Sequence, residues 1–245
     1  MIYEEIGNFY NAYRGKKCII GRSVLGREIF ALHIGDRSGR QLIAAYAVHG
    51  REWITARLAL RHIREGLGAG WGGWIIPLVN PDGAAISQSE SPLWKANGRG
   101  VDINCNFDAE WGTGRLNTPV PGSENCVGVY PFSEPESRAL RDFTLRVRPQ
   151  AAFAFHTKGE EIYWEFCGRG DSAGAEILSQ ATGYKARLIS GSAGGYKDWC
   201  LLEGIPAYTI ECGSDRLEHP VKRLPALKKC YKVLKIFTLR WKLNS

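Results

Sequence analysis

Between residues 17 and 50 the apolar positions gather into three short runs, KCIIGRS, EIFALHIG and LIAAYAVHG, parted by a turn at Gly26 and by the polar stretch DRSGR. Short apolar runs bounded by turn signals read as strands, and the third, free of charge until His49, reads as a buried central one. Over residues 52–66 the period changes. Trp53, Ala56, Leu58, Ala59 and Ile63 recur among arginines at helical spacing, which predicts a helix with one polar face. GGWIIPLVNPDG reads as a second buried strand that stops in an Asn80-Pro81-Asp82-Gly83 turn, because proline and glycine end both ladder and helix. Residues 84–132, rich in Gly, Pro and Asn, predict a long irregular functional surface. Ser133, followed by Pro135 and Glu136, predicts the N-cap of a helix running to Arg146. AAFAFHT (151–157) and AYTIECG (207–213) complete four buried strands, with helices expected over 171–182 and 224–239. Strands alternating with helices give an α/β sandwich.

The chain has 245 residues, 44% of them apolar. That suffices for a full core, and residues 1–245 are expected to form a single domain. The net charge of +7 suits an anionic partner, but no arginine-rich tract or aromatic-basic platform accompanies it, so nucleic acid is not expected. No run reaches transmembrane length, and residues 1–10, with Glu4 and Glu5, lack the apolar stretch of a leader or anchor. A membrane partner is therefore not expected. The seven cysteines form no C-x-x-C pair and are odd in number. They read as free thiols, several of them buried in apolar contexts like Cys200 and Cys212, which points to a reducing, cytoplasmic compartment.

Three of the four buried strands end near a metal-binding or ionisable side chain: His49, His156 and Glu211. Open α/β sheets bind ligands at the carboxyl ends of their strands, so these groups are expected to share one crevice. His49 and Glu52 have H-x-x-E spacing, which brings an imidazole and a carboxylate to one ion, and His156 would supply a third ligand while leaving a fourth position open. Each signal alone is weak. H-x-x-E is short, and a histidine at a strand end is more readily a satisfied core residue.

The order HGREWITARLA, NPDG, RGVDINCNF, His156, AGGYKDW and AYTIECG is far more specific, and by it the chain resembles the zinc carboxypeptidase family over nearly its whole length. The resemblance implies a three-layer sandwich, a mixed and mainly parallel sheet with helices on both faces. It also implies one Zn2+ per chain held by His49, Glu52 and His156, with Glu211 taking the proton of the attacking water. Asp102 matches the carboxylate that accepts a hydrogen bond from the first zinc histidine, here His49. Arg51 matches an arginine near the substrate carbonyl. Lys95 falls where the family places an arginine that stabilises the oxyanion, and Arg99 is close enough in sequence to take that role instead.

Two features depart from the family. Its exopeptidases grip a terminal carboxylate with Asn-Arg, but the matching pair here is Asn104-Cys105, and a thiol is no fork for a carboxylate. A mobile tyrosine is replaced by Ser190, with Tyr196 the nearest substitute. Lys197 stands where the family floors the pocket for the residue after the scissile bond, and an ammonium there favours an acidic side chain. The expected activity is hydrolysis of a peptide or amide bond in a muropeptide, at γ-D-glutamyl-diamino acid, or in another acidic peptide. Alternatives are a carboxypeptidase releasing an acidic C-terminal residue, a zinc amidohydrolase or deacylase, and a zinc-binding module without catalysis.

Overall fold

The computed structural model describes residues 1–241. Helix α1 (Ile2–Ala12) leads into strands β1 (Lys17–Arg22), β2 (Glu28–Gly35) and β3 (Arg40–Tyr46), then helix α2 (Ile54–Glu65), strand β4 (Trp71–Ile76) and helix α3 (Pro81–Ser89). After a long irregular stretch come α4 (Pro135–Val147), β5 (Ala151–His156), the short strands β6 (Glu161–Tyr163), β7 (Glu165–Phe166) and β8 (Arg169–Gly170), and α5 (Ser172–Thr182). The chain continues through β9 (Lys185–Arg187), α6 (Tyr196–Leu202), β10 (Ala207–Glu211) and α7 (Val233–Arg240).

Eight strands form one sheet in the order β1-β2-β4-β3-β5-β10-β6-β9. Its centre is parallel: β3 pairs with β4 and β5, and β10 pairs with β5, while β1, β2 and β6 add antiparallel neighbours. The two-residue period of each strand divides the core. Leu42, Ala44 and Tyr46 of β3, with Phe153, Phe155 and Tyr208, pack beneath α2, α5 and α7. Ile43, Ala45, Ala152 and Ala154 face α4 and α6 through Leu140, Phe143, Tyr196 and Trp199. This is the expected three-layer sandwich.

Local details differ from the pattern in the sequence. Asn80-Pro81-Asp82-Gly83 does not end structure; it begins α3, with the Asn80 side chain accepting from the Gly83 amide at 2.8 Å and Pro81 in the first turn. Asn and Pro are a turn signal and an N-terminal helix signal alike, and burial against the turn after β3 selects the second. Ser133 is not a cap: α4 starts one residue later, and the Ser133 hydroxyl instead joins Glu134 and Asn106. The expected helix over 224–239 is a 3-10 turn, Leu224–Cys230, followed by α7. Helices α1 and α6 went unpredicted. All seven cysteines are free, five of them buried. No helix among the described residues is long and apolar enough to cross a membrane.

Candidate active site

The turn after β3 is held from both sides. Ala47 takes a left-handed conformation (φ 48°), and its amide donates to the Thr55 hydroxyl at 2.8 Å, which in turn donates to the Glu52 carbonyl at 2.9 Å. Asn80 Nδ2 donates to the carbonyls of Val48 and Ala96, each at 3.1 Å. Gly50 lies so close that a Cβ there would sit 2.4 Å from the Gly83 carbonyl oxygen, and its amide donates to the Lys95 carbonyl at 2.9 Å. Only glycine permits that approach. The contacts set His49, Glu52 and Lys95 side by side.

His156 reaches the same place from the end of β5, next to β3 in the sheet. His49 Nδ1 lies 3.0 Å from one Glu52 carboxylate oxygen, His156 Nδ1 lies 2.9 Å from the other, and the two nitrogens are 3.2 Å apart. Zinc bound by nitrogen and oxygen at about 2.0–2.1 Å with tetrahedral angles sets its ligand atoms roughly 3.3 Å apart, so this trio fits a single ion. All three residues are buried. Burial works against the charge of Glu52, but the two imidazoles outweigh it and hold the carboxyl well below its ordinary range. Burial likewise opposes a charged His49, yet Glu52 and Asp102 push it up to about 9. For His156, burial prevails over Glu52 and lowers the pKa.

Asp102 divides its carboxylate. One oxygen lies 3.2 Å from His49 Nε2, the other 2.7 Å from the Lys95 ammonium, and the first also caps the short 3-10 turn by accepting from the Asn104 amide. A carboxylate on the far nitrogen fixes the imidazole ring and leaves Nδ1 toward the ion position. Lys95 also donates to Asn125 Oδ1 at 2.9 Å. Burial opposes its charge, but Asp102 outweighs burial and raises its pKa. Glu211, at the end of β10, is in register with His156. Burial, then the nearby charge of Glu52, push its carboxyl up to about 8. His49, Lys95, Asp102, Cys105, Lys197 and Glu211 all line one cavity of about 170 Å³.

Other expected residues are placed differently. Arg99 pairs with Glu134 and is 56% exposed, outside the cavity; Lys95, not Arg99, is the cation at the site. Tyr196 is buried in the core and its hydroxyl meets Thr144 at 2.9 Å, so it does not replace the missing tyrosine. Arg51 turns to Glu124 at 2.5 Å and does not line the cavity. Ser190 borders a neighbouring cavity instead. Asn104 lines the site, but its side-chain oxygen is occupied by the Tyr196 amide. Lys197 is at the expected wall, 5% exposed, yet its ammonium is paired with the adjacent Asp198 and donates to the Glu165 carbonyl at 2.8 Å. Asn125, Tyr163 and Thr209 also line the cavity. Nothing in their local sequence marks them, because folding alone brings them there.

Residues 71–176 match the family model described as zinc carboxypeptidase, a segment that holds Lys95, Asp102, Cys105 and His156. Over that segment the chain is similar to the zinc carboxypeptidase family. It is 29% identical over 250 residues to gamma-D-glutamyl-L-diamino acid endopeptidase 1 of Lysinibacillus sphaericus, an alignment covering 85% of this chain and 63% of the relative. Against the uncharacterised Bacillus subtilis protein YqgT it is 27% identical, over 83% of this chain and 66% of the relative. It thus spans just under two thirds of the length of these relatives. Its fold is that of bovine thrombin-activatable fibrinolysis inhibitor (TM-score 0.83, 20% identity, 97% of this chain and 93% of that one). The same holds for the murein-tripeptide amidase MpaA of Escherichia coli O157 (TM-score 0.68, 23% identity, 96% of each chain). Cys105 lines both the site and the neighbouring cavity, and Ser190 the neighbouring cavity alone.

Proposed function

We propose that the chain is the catalytic domain of a zinc-dependent metallopeptidase that hydrolyses a peptide or amide bond in a muropeptide or other acidic peptide. The observation that carries the reading is the meeting of His49, Glu52 and His156, their ligand atoms all within 4.8 Å of one another, on a cavity that Glu211 also lines. When bound, a zinc ion lowers the pKa of its water to about 7 and polarises the substrate carbonyl. Glu211 then takes the proton from the attacking water and passes it to the leaving amine; burial raises the affinity of its carboxylate for that proton. Lys95 presents a fixed ammonium to the developing oxyanion, and Asp102 holds Lys95 and His49 in a single arrangement. Residues 1–245 act as one domain.

Wall peptide as substrate draws support from the activity named for the Lysinibacillus relative and from Cys105, which removes the family's grip on a free C-terminus. Mass analysis of products from a purified muropeptide mixture, with Glu211→Gln as the blank, tests it. Cleavage between γ-D-glutamate and the diamino acid is expected. Release of a lone acidic C-terminal residue would move the assignment to a carboxypeptidase, and no hydrolysis by zinc-loaded protein would sink the peptidase reading.

A further inference from the structure

Two of the cations beside the catalytic cavity are already matched by a carboxylate of their own. Lys95 is held by Asp102 and Asn125, Lys197 by Asp198 and the Glu165 carbonyl, and both are largely buried. Paired with Asp198 and the Glu165 carbonyl, Lys197 has little to gain from a further anion, and Lys95 is assigned above to the oxyanion. Arg115 is different. It is exposed, and among the described residues its side chain makes no ion pair and no hydrogen bond. Its amide donates to the Gly191 carbonyl at 2.9 Å, which fixes its loop against the 189–193 segment, and its Nε lies 3.8 Å from where a Cβ on Gly191 would be.

Arg115 lines a second cavity, of about 320 Å³, which shares Cys105, Asn125, Ile189 and Ser192 with the catalytic one. The two cavities therefore adjoin at Cys105, the position where the family pattern has an arginine. A thiol is much shorter than a guanidinium side chain and carries no charge there. No acidic residue lines the second cavity; Asn117, Asn125, Ser190 and Ser192 supply neutral polar groups beside the single guanidinium. An unpaired guanidinium among neutral donors and acceptors suits a carboxylate, which accepts its two parallel N–H groups.

We propose that Arg115 is the residue that reads substrate charge: it binds a carboxylate at the far end of the side chain that follows the scissile bond, across the junction where the two cavities share Cys105, Asn125, Ile189 and Ser192. The inference rests on the peptidase reading above, and it assigns to Arg115 the role the sequence suggested for Lys197. Diaminopimelate carries a second carboxylate at the far end of its side chain; lysine offers a similar length with no acid there.

The test compares kcat/KM for γ-D-glutamyl-diaminopimelate with that for γ-D-glutamyl-lysine in the native protein, Arg115→Ala and Arg115→Lys. The diaminopimelate-to-lysine ratio should fall roughly tenfold in Arg115→Ala, chiefly through KM, and recover in part in Arg115→Lys, as expected for loss of a charged hydrogen bond. Binding of free meso-diaminopimelate and free lysine to zinc-loaded Glu211→Gln protein, with and without Arg115→Ala, is measured alongside. A preference for diaminopimelate that disappears with Arg115 supports the proposal, whatever the turnover. A preference unaltered by the substitution, or absent in both proteins, overturns it. Failure to cleave either peptide counts against the peptidase reading alone.

Discussion

His49, Glu52, His156 and Glu211 stand at or just beyond the ends of three adjacent strands, β3, β5 and β10, whose registers fix their spacing. The facing wall, drawn from residues 95–126 and 189–195, has almost no regular structure beyond one 3-10 turn. Yet both walls carry buried charge. On the strand side, carboxylate and imidazoles crowd within about a hydrogen bond of one another, an arrangement that only a cation resolves well. On the facing side each buried cation has its own carboxylate: Lys95 with Asp102 in the loops, and Lys197 with Asp198 in the first turn of α6 beside them. Under the function proposed here, metal binding and proton transfer fall to the strand ends, and selection of substrate to loops that can change without disturbing them.

The largest effect should follow from removing a strand-side ligand. His156→Ala leaves two donors where catalytic zinc needs three, and zinc content by plasma emission should fall well below one per chain. Stoichiometric zinc in that variant would erase the division between the walls. Glu211→Gln keeps shape and zinc but cannot take a proton, so turnover should drop on the order of 10²–10⁴-fold at unchanged zinc content. Near-native turnover would remove Glu211 from the chemistry.

Asp102 belongs to both walls, and Asp102→Asn tests the link. An amide cannot balance Lys95 and orients His49 less firmly, so zinc affinity should weaken roughly 10–100-fold. Competition with a chelator measures it, and native affinity would mean that the walls are independent.

Behind the loop wall, Asn97 donates to Glu134 at 2.8 Å and Glu136 at 3.1 Å, and Glu136 also accepts from the Val24 amide. Burial raises the Glu136 carboxyl from its ordinary 4.5 to about 7. Because its folded pKa lies above the unfolded one, its contribution is fully present below pH 4.5 and is lost as pH climbs through about 7. Thermal unfolding followed between pH 5 and 8.5 should show this loss, and Glu136→Gln should flatten it. An equal slope in both proteins would detach the anchoring of this wall from protonation of Glu136. This is the smallest of the four effects.

Strand ends were legible because a short continuous apolar run closing on or near His49, His156 or Glu211 is a local signal. The same holds for α2, whose helical spacing survives in the sequence, and for α4, marked by Pro135 and Glu136 at its start. Asn80-Pro81-Asp82-Gly83 was misread as a turn because the residues that start a helix are those that make turns; the packing of Gly50 against Gly83 decides between them. Arg99 and Lys95 were indistinguishable as cations four residues apart. Their separation comes from Glu134, thirty-five residues away, which engages the first, and Asp102, which engages the second.

By itself the sequence determined the layered α/β arrangement and pointed to His49, Glu52, His156 and Glu211 as one group, since these rest on apolar runs, strand termini and an ordered set of motifs. Which charges are already spent was decided only by the tertiary structure. Pairing depends on contacts between residues distant along the chain, or on the direction of neighbouring side chains like Lys197 and Asp198. A charge neutralised within the fold and one left to meet a ligand look the same in a sequence; the structure alone separates Lys197, held by Asp198, from Arg115, held by nothing among the described residues.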